Sequence, residues 1–221
     1  MRKVILFGHT GEIGKYLAHD LCSDFDIITF SRSDGFDIAR RDQIEDVISS
    51  NSDAYAVINC TLARKAPCPL HKLQEKDIIE SFSVNLFPVF YIVSAINTYM
   101  KNSRFIHFSS VAVNGISGQG LYSACKGGLE SLSRSAAIEM NEFNNQIFTI
   151  RLGPVSGEKK HFQDKYRQYH DTLQDSLINK SISRQKTALR EVRNLVNLLL
   201  CAENSNFHGN IITLDGGLSG L

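Results

Sequence analysis

The stretch "KVILFGHTGEIGK", residues 3–15, decides the fold class. Residues 3–7, KVILF, predict a first strand, and Gly8, Gly11 and Gly14 follow it with the spacing G-x-x-G-x-x-G. A tight turn from strand to helix needs the backbone freedom of glycine, and a phosphate can approach the backbone closely only where Cβ is absent. The N-terminus of the following helix offers unpaired N–H groups and a positive dipole end to an anion. The stretch therefore predicts a dinucleotide-binding turn, although a plain structural turn can have the same local sequence.

The rest of the chain alternates short apolar runs with longer segments of helical period. Strands are predicted at 26–31, 54–60, 104–110, 146–152 and 210–217, with a very short one at 35–38. Helices are predicted at 11–25, 40–51, 75–100, 122–143 and 187–203. Such alternation is typical of an α/β protein with a three-layer doubly wound parallel sheet, the Rossmann fold. We therefore predict a single dinucleotide-binding domain over residues 1–221.

Composition and charge argue against several classes of partner. The chain has 221 residues, 43% of them hydrophobic, which suits one globular domain with a sizeable core. The formal net charge of +1 gives no large field that would attract nucleic acid or an anionic membrane. The longest apolar runs, such as 84–96, are too short and interrupted to span a bilayer, and the seven histidines form no metal-ligand cluster. The five cysteines contain no C-x-x-C pair, so we expect reduced thiols in a cytoplasmic protein.

The end of the second predicted strand bears on the choice of cofactor. At this position an acidic residue holds the two ribose hydroxyls of NAD, and a basic residue accommodates the 2′-phosphate of NADP. In "TFSRSDG" (29–35) the Arg32 guanidinium can pair with a phosphate, and the Ser31 hydroxyl can add a hydrogen bond. Arg32 could also be an ordinary surface arginine, and Asp34 could bind the ribose. The sequence favours NADP(H), with NAD(H) as the alternative.

Tyr122 and Lys126, in "LYSACKGGLESL" (121–132), form the candidate catalytic pair. Residues four apart on a helix share one face, so the ammonium can lie beside the phenol. A tyrosine with a reference pKa of about 10 is a poor acid at neutral pH, and a nearby ammonium lowers that pKa by stabilising the phenolate. The pair could then pass a proton to or from a carbonyl or hydroxyl oxygen. Taken alone, the pattern Y-x-x-x-K also occurs by chance in many helices.

Several short segments, taken together, give the chain a family resemblance. In chain order they are GHTGEIG (8–14), the pair Asp37–Ile38, VINCT (57–61), SVNLF (83–87), SSV with YSACK (109–111 and 122–126), LGPV (152–155) and HGNIITLDGG (208–217). With these segments in this order, the chain resembles the short-chain dehydrogenase/reductase family over nearly its whole length. The set is far more specific than any one segment.

The resemblance implies a role for individual residues. Tyr122 would give its proton to the carbonyl oxygen in reduction, and Lys126 would lower the tyrosine pKa and hold the nicotinamide ribose. Ser110 would hydrogen-bond the substrate oxygen, with Ser109 as the alternative. Asn85 would help to hold a water in the proton relay, or would only satisfy local backbone. The expected cofactor-binding residues are Gly8, Thr10, Gly11, Ile13, Gly14, Ser31, Arg32, Asp37, Ile38, Asn59, Cys60, Thr61, Tyr122, Lys126, Gly153, Pro154 and Val155.

The chain departs from the family pattern at three places. It is short for the family, and the deficit falls between Arg32 and Asp37, where a helix and most of a strand are missing. The stretch 59–62 is Asn-Cys-Thr-Leu in place of the usual N-N-A-G. The glycine turn has the spacing of the sugar-nucleotide-modifying branch and not the G-x-x-x-G-x-G of the larger single-domain branch.

Three functions fit these residues. The first is an NAD(P)-dependent oxidoreductase for a small alcohol or carbonyl substrate, of the 3-oxoacyl reductase-like or keto-sugar/ketone reductase type. The second is a sugar-nucleotide epimerase or dehydratase, which the glycine spacing favours and the short C-terminal part disfavours. The third is a non-catalytic dinucleotide-sensing protein, which the complete set of Asn85, Ser110, Tyr122 and Lys126 disfavours.

Two further expectations concern the substrate side and the assembly. The polar region 155–186 follows a strand end, where ligands bind in open α/β sheets, so we expect a substrate flap there. Its aromatic residues Phe162, Tyr166 and Tyr169 would line the pocket or pack on the body. The predicted helices near 77–100 and 122–143 carry apolar residues on more than one side, and in the family such helices pair across a dimer axis. The resemblance thus implies a homodimer or homotetramer.

Overall fold

The order of the strands determines where the functional residues meet. The computed structural model describes residues 1–157, 164–201 and 205–220. Within these ranges six parallel strands form one sheet in the order β2-β1-β3-β4-β5-β6. The strands are β1 (Arg2–Phe7), β2 (Phe25–Phe30), β3 (Ala56–Asn59), β4 (Arg104–Ser110), β5 (Gln146–Leu152) and β6 (Ile211–Leu214). The order reverses between β1 and β3, and ligands bind such sheets in the crevice at the carboxyl ends of these strands.

Helices cover both faces of the sheet. In the described ranges they are α1 (Glu12–Asp20), α2 (Arg41–Ser50), α3 (Glu75–Asn85), α4 (Phe87–Tyr99), α5 (Gly120–Asn141), α6 (Asp164–Lys180) and α7 (Leu189–Cys201). One core lies under α2, α4 and α5 and includes Ile44, Ile92 and Leu129. The second core lies under α1 and α7 and includes Leu17 and Val196. This arrangement confirms the predicted three-layer doubly wound parallel sheet.

The side chains of strand β1 pack alternately into the two cores on opposite faces of the sheet. Ile5 and Phe7 pack into the first core, whereas Val4 and Leu6 pack into the second, and all four side chains are fully buried. Successive side chains of a strand point to opposite faces, so a strand covered on both sides reads as a continuous apolar run. The turn that follows β1 is thereby held where the strand order reverses, beside the end of β3.

The prediction of a strand at 35–38 is wrong. The chain forms a short 3₁₀ turn at Arg32–Asp34 instead, and Gly35 follows it with a φ of 80°. Phe36 and Ile38 are buried, and the Phe36 ring stacks on Phe7 with centroids 4.9 Å apart. Their apolar pattern thus comes from core packing and not from strand pairing. Strand β2 is the edge of the sheet, and a short connection leads from it to α2.

The single helix expected at 75–100 is two helices, α3 and α4. Leu86 lies between them with a φ of −126° and a ψ of −52°, outside the helical region. Pro88 lies in the first turn of α4, because proline has no N–H and its ring would clash with the preceding turn of a continuous helix. The break places Asn85 at the end of α3, where its side chain contacts Ala63 in the loop after β3.

The α3–α4 segment also bears on the membrane question. By length and composition alone, Glu75–Tyr99 is long and apolar enough to cross a membrane, which differs from the expectation that this run is too short and interrupted. Core helices of soluble domains pass the same test. Here Ile92 and Ile96 are fully buried in the first core, so this packing accounts for much of the apolar character.

The region expected to form a substrate flap contains α6. Residues 158–163, including Phe162, and the side chain of Tyr166 lie outside the described residues. Val155 and Thr187 form an isolated parallel bridge, so the two ends of this excursion are neighbours. The Tyr169 hydroxyl donates a hydrogen bond of 2.6 Å to the carbonyl of Ser117, which fixes α6 against the loop before α5.

Candidate active site

The turn between β1 and α1 is built from close backbone contacts. Gly8 has a φ of 86°, and a Cβ on it would lie 2.9 Å from the Thr61 nitrogen. A Cβ on Gly14 would lie 2.3 Å from the Gly8 carbonyl oxygen. Gly11 is the N-cap of α1 and supplies no side-chain cap to the first N–H groups. The turn therefore has the shape and the helix end that fit a pyrophosphate.

Three side chains of the turn differ in environment. Thr10 is exposed, and Ile13 packs against the second core. Glu12 lies in the first turn of α1, and a Cβ on Gly157 would be 2.3 Å from its Oε2. A carboxylate at a helix N-terminus stabilises the helix but repels a second anion at the same end. Of the residues in the turn, Glu12 fits a pyrophosphate least well.

Ser31 and Asp34 form a hydrogen-bonded cluster at the end of β2. The Ser31 hydroxyl donates to Asp34 Oδ2 over 3.0 Å and lies 2.7 Å from the Ser33 hydroxyl. His9 Nδ1 lies 3.5 Å from the same carboxylate. Arg32, by contrast, is exposed and forms no ion pair within residues 1–157, 164–201 and 205–220. Protein groups thus hold the Asp34 carboxylate, and the Arg32 guanidinium is free to bind a phosphate.

The residues expected around the adenosine are partly used by the fold itself. Asp37 Oδ1 accepts a hydrogen bond of 3.1 Å from the Ala39 N–H, and the Ile38 side chain is buried in the first core. Asn59 Oδ1 accepts from the N–H and the hydroxyl of Thr61, over 3.0 and 2.6 Å. Burial raises the pKa of the Cys60 thiol, so this residue stays protonated. Strand β3 thereby holds the loop next to Gly8 in a fixed conformation.

Tyr122, Lys126 and Ser110 lie together, as the sequence predicts. Lys126 is buried; its Nζ lies 5.8 Å from the centroid of the Tyr122 ring and donates to the Phe108 carbonyl over 2.7 Å. Ser110 lies at the end of β4, and its hydroxyl contributes to the lowered pKa of the Tyr122 phenol. The phenol therefore has an ammonium and a hydroxyl as neighbours in one partly buried site.

Opposing effects set the pKa of the Tyr122 phenol. Burial raises the pKa of the phenol. The charges of Lys126 and Arg64, together with the polar groups of Arg64 and Ser110, lower it by more than burial raises it, so the pKa lies below the usual value for tyrosine. Burial also lowers the pKa of Lys126; the Tyr122 phenolate opposes that change and Arg64 adds to it. The site thus makes the phenol a stronger acid than a free tyrosine.

Ser109 points to a different partner from Ser110. The Ser109 hydroxyl donates to Glu130 Oε1 over 2.6 Å. Arg151 binds the same carboxylate through Nε and Nη2, at 2.8 and 2.5 Å, and Glu130 is only 4% exposed. Ser109 therefore belongs to a buried ion-pair cluster, and the structure favours Ser110 as the serine of the site.

Asn85 uses its side-chain amide on backbone groups. Its Oδ1 accepts from the Ala63 N–H over 3.0 Å, and its Nδ2 donates to the carbonyls of Ala63 and Ser81, both over 2.9 Å. These contacts match the alternative in which Asn85 satisfies local backbone. They anchor the loop after β3 to α3, and a role in a proton relay stays a prediction.

The segment after β5 lies against the C-terminal turn. A Cβ on Gly153 would lie 2.8 Å from Asp215 Cα, so no larger residue fits there. The Pro154 carbonyl accepts from the Thr187 N–H over 2.8 Å, and Val155 packs against the second core. These contacts hold the predicted nicotinamide-side residues at the carboxyl end of β5.

Comparison with known proteins places this geometry in a family. Residues 33–219 match a family model described as Enoyl-(Acyl carrier protein) reductase. The chain belongs to the short-chain dehydrogenase/reductase family. Among similar sequences is "(2S)-[(R)-hydroxy(phenyl)methyl]succinyl-CoA dehydrogenase subunit BbsD" of Thauera aromatica, 26% identical over 197 residues that cover 83% of this chain and 74% of that one. Another is "1,6-dihydroxycyclohexa-2,4-diene-1-carboxylate dehydrogenase" of Acinetobacter baylyi, 24% identical over 162 residues that cover 69% of this chain and 62% of that one.

Solved structures share the fold at low sequence identity. A small-chain dehydrogenase in complex with NADPH superposes with a TM-score of 0.85, at 15% identity and over 98% of both chains. A short chain dehydrogenase from Burkholderia cenocepacia J2315, in complex with NADP, superposes with a TM-score of 0.84 at 16% identity, over 99% of this chain and 98% of that one. The architecture of this short-chain dehydrogenase/reductase is therefore shared over essentially its whole length.

Two polar residues of this short-chain dehydrogenase/reductase were not anticipated from the sequence. Arg64 lies in the loop after β3 with its Cζ 5.3 Å from the Tyr122 ring centroid, and its charge contributes to the lowered pKa of the phenol. Arg64 Nη1 also lies 2.7 Å from Nε2 of His170 on α6. The position of Arg64 shortly after a predicted strand end was a usable signal, whereas nothing in the sequence singles out His170 in the polar region 155–186.

Proposed function

We propose that the protein is an NADP(H)-dependent oxidoreductase that interconverts a small carbonyl compound and its alcohol. The observation that carries the proposal is the buried Lys126 ammonium beside the Tyr122 phenol, 5.8 Å from its ring centroid. An acid with a lowered pKa at the carboxyl edge of the sheet suits proton transfer to an oxygen. The reductase description of the family model and the dehydrogenase names of the two relatives support redox chemistry.

The residues present fit an NADP(H) molecule. The glycine turn with the N-terminus of α1 would hold the pyrophosphate, and Arg32 would bind the 2′-phosphate. Lys126 would hold the nicotinamide ribose, and residues 153–155 would lie beside the nicotinamide. The NADPH and NADP in the two solved structures support this choice over NAD(H). When bound, the nicotinamide supplies or accepts the hydride.

Each residue of the catalytic group has a separate task in this proposal. Tyr122 gives its proton to the carbonyl oxygen in reduction and takes it back in oxidation. Ser110 donates a hydrogen bond to the same substrate oxygen and so holds the carbonyl next to the phenol. Lys126 stabilises the phenolate that remains after the proton has left, because its ammonium is close and poorly solvated.

The substrate we propose is a small ketone, keto-sugar or 3-oxoacyl compound, or the alcohol of one of these. The cavity beside Tyr122 holds about 410 Å³, which suits a small organic molecule. Both relatives are named as dehydrogenases of hydroxylated compounds, one of them a CoA thioester.

The test is NADPH oxidation by the purified protein with a panel of these carbonyl compounds. Tight NADPH binding without turnover of any member would instead support the dinucleotide-sensing function, and conversion of nucleotide sugars without net NADPH oxidation would support the epimerase.

We also propose that the protein is a cytoplasmic homodimer or homotetramer. All five cysteines are free thiols, which suits a reducing compartment. Phe90 on α4 is 50% exposed and Ile138 on α5 is 75% exposed, so both helices present large apolar side chains to solvent. Sedimentation equilibrium measures the assembly state, and a monomer at all concentrations would contradict this part of the proposal.

Removal of the Arg32 guanidinium should change cofactor preference. In Arg32→Ala we expect NADPH affinity to fall by roughly tenfold more than NADH affinity, because only NADPH carries the phosphate that the guanidinium pairs with. Cofactor fluorescence titration measures both constants without turnover. Arg41→Ala is the matched control, since Arg41 is an exposed arginine paired with Glu45. Equal losses of affinity for NADPH and NADH would show that Arg32 does not bind the 2′-phosphate.

Removal of the Lys126 ammonium should raise the pKa of the Tyr122 phenol. Lys126 from α5 and Arg64 from the loop after β3 both lower this pKa, so Lys126→Met should shift the phenol titration upward but only in part. Ultraviolet difference titration, with Tyr122→Phe subtracted, measures the shift in the cofactor-free protein. Lys65→Met is the control, because Lys65 is paired with Asp77 and Glu80. In the wild type, reduction should slow as pH rises through the lowered pKa, and oxidation should speed up; an unchanged titration in Lys126→Met would contradict the assignment.

A further inference from the structure

The cavity beside Tyr122 is where a substrate has to lie. It opens between the loop after β3, the start of α5 and helix α6, and Tyr122, Arg64 and His170 form part of its wall. A molecule that receives a proton from Tyr122 must come within hydrogen-bonding distance of its hydroxyl, about 3 Å. Any such molecule therefore also lies next to the Arg64 guanidinium.

The direction of the Arg64 side chain is fixed by two contacts. On one side the guanidinium lies over the Tyr122 ring, with its Cζ 5.3 Å from the ring centroid, and on the other its Nη1 lies 2.7 Å from His170 Nε2. A guanidinium can only donate, so His170 Nε2 is the acceptor and the imidazole is neutral, with its proton on Nδ1. His170 is only 6% exposed, which holds this acceptor in place.

The charge of Arg64 has no counter-charge from the protein in the part of the chain that the structure describes. No carboxylate there lies within ion-pair distance of it, whereas the next residue, Lys65, pairs with Asp77 and Glu80, both at 2.6 Å. A cation in a substrate cavity is stabilised most by an anionic group on the ligand. The guanidinium has five N–H donors in a fork, so donors remain for a carboxylate after the bond to His170.

We propose that Arg64 binds a carboxylate of the substrate, and that the substrate is a short 2-oxo or 3-oxo acid or the corresponding hydroxy acid. This inference rests on the proposed oxidoreductase function. The Arg64 Cζ lies 5.3 Å from the Tyr122 ring centroid, and the reacting oxygen has to lie about 3 Å from the Tyr122 hydroxyl, so the carboxylate and the reacting oxygen have to be close to each other in the substrate. A carboxylate bonded to the carbonyl carbon, or separated from it by one carbon, meets this requirement. His170 is a positioning residue, because its hydrogen bond to Nη1 orients the Arg64 guanidinium.

A simpler role for Arg64 makes a different prediction. If Arg64 served only as a second cation that acidifies Tyr122, its removal would slow the reduction of keto acids and of neutral ketones equally. If Arg64 binds a carboxylate, its removal should slow the reduction of keto acids more, since a methyl ester of the same size cannot form the charge-assisted pair. The ratio of acid to ester therefore separates the two roles.

The kinetic test uses matched substrates and variants. We measure kcat/KM for 2-oxobutanoate, 3-oxobutanoate and their methyl esters with the wild type, Arg64→Ala, Arg64→Lys and the control Lys65→Ala. Arg64→Ala should lower kcat/KM for the preferred acid by roughly tenfold to a hundredfold, the range for a charged hydrogen bond, and lower it for the ester far less. Arg64→Lys should restore part of the loss, because it keeps the charge without the fork. Lys65→Ala should keep the preference for the acid.

A binding test works without turnover. Calorimetry of the protein loaded with NADP⁺ measures the dead-end complex with each keto acid and its ester. The acid should bind at least about tenfold more tightly than the ester, and Arg64→Ala should abolish the difference. Equal binding of acid and ester, with turnover of neutral ketones, would overturn the carboxylate proposal and leave the oxidoreductase function intact. Preferential binding of an acid without any turnover would support the carboxylate site and count against the oxidoreductase.

His170 gives a second variant pair. His170→Ala should raise KM for the acid while kcat and the ester kinetics change little, because the guanidinium loses its direction but not its charge. His170→Gln, whose side-chain oxygen can accept the same hydrogen bond, should restore KM. Thermal unfolding of both variants checks that they are folded. Equal losses for acid and ester in His170→Ala would show a merely structural role.

Discussion

Tyr122→Phe should lower kcat by at least about a hundredfold, within the range that general acid–base groups contribute. The variant removes one oxygen and keeps the ring, so the packing of α5 on the sheet changes little. The carbonyl oxygen would then receive no proton from the group that Lys126 and Arg64 have made acidic. NADPH affinity should stay within a few-fold of the wild type, which fluorescence titration measures beside steady-state turnover.

Tyr169→Phe is the matched control for this loss. Tyr169 also lines the cavity, but its hydroxyl donates to the Ser117 carbonyl and not to the Tyr122 site. We expect kcat to change by less than about threefold, since a neutral hydrogen bond is worth about 1 kcal/mol and this one lies outside the reacting group. Near-normal turnover in Tyr122→Phe, or equal losses in both variants, would remove Tyr122 as the proton donor.

The fold could be read from the sequence because local and global signals agree. The run at 4–7 is buried on both faces of the sheet, and Gly8 and Gly14 touch backbone where no side chain fits. The chemistry of Tyr122 and Lys126 was predictable for a similar reason, since residues four apart meet within one helix. Each of these features is marked by a pattern within a few consecutive residues of the chain.

The features that the sequence left open or did not predict depend on contacts between distant parts of the chain. Phe36 and Ile38 look like a strand because they are apolar, but they pack into the core beside Phe7. The choice between Ser109 and Ser110 depended on Glu130 and Arg151, which lie on α5 and β5. Arg64 reaches Tyr122 only because the carboxyl ends of β3 and β4 are adjacent in the sheet. No periodicity in a single sequence encodes these contacts.

The buried Glu130–Arg151 ion pair connects the elements around the candidate site. Glu130 lies on α5, one turn after Lys126, and Arg151 lies on β5. Their side chains are 6% and 19% exposed, and the same carboxylate accepts from Ser109 at the end of β4. The pair thus joins α5, which presents Tyr122 and Lys126, to β5 and to β4, which presents Ser110. A charge removed from this cluster should destabilise the fold, since the remaining charge would be poorly solvated.

Arg151→Met should lower the free energy of unfolding by about 3 kcal/mol, because the Glu130 carboxylate then stays buried with only the Ser109 hydroxyl as a neutral donor. Denaturant titration with an unchanged slope measures this loss, which corresponds to a fall in Tm of roughly 6–12 °C for a domain of this size. The double variant Glu130→Leu/Arg151→Met removes both charges and should recover most of the stability, since buried ion pairs replaced by apolar groups of similar volume often cost little. If the double variant is as unstable as Arg151→Met, the loss comes from packing and not from an uncompensated charge. If Arg151→Met is as stable as the wild type, the pair does not hold α5 to the sheet, and the position of Lys126 must depend on its hydrogen bond to Phe108.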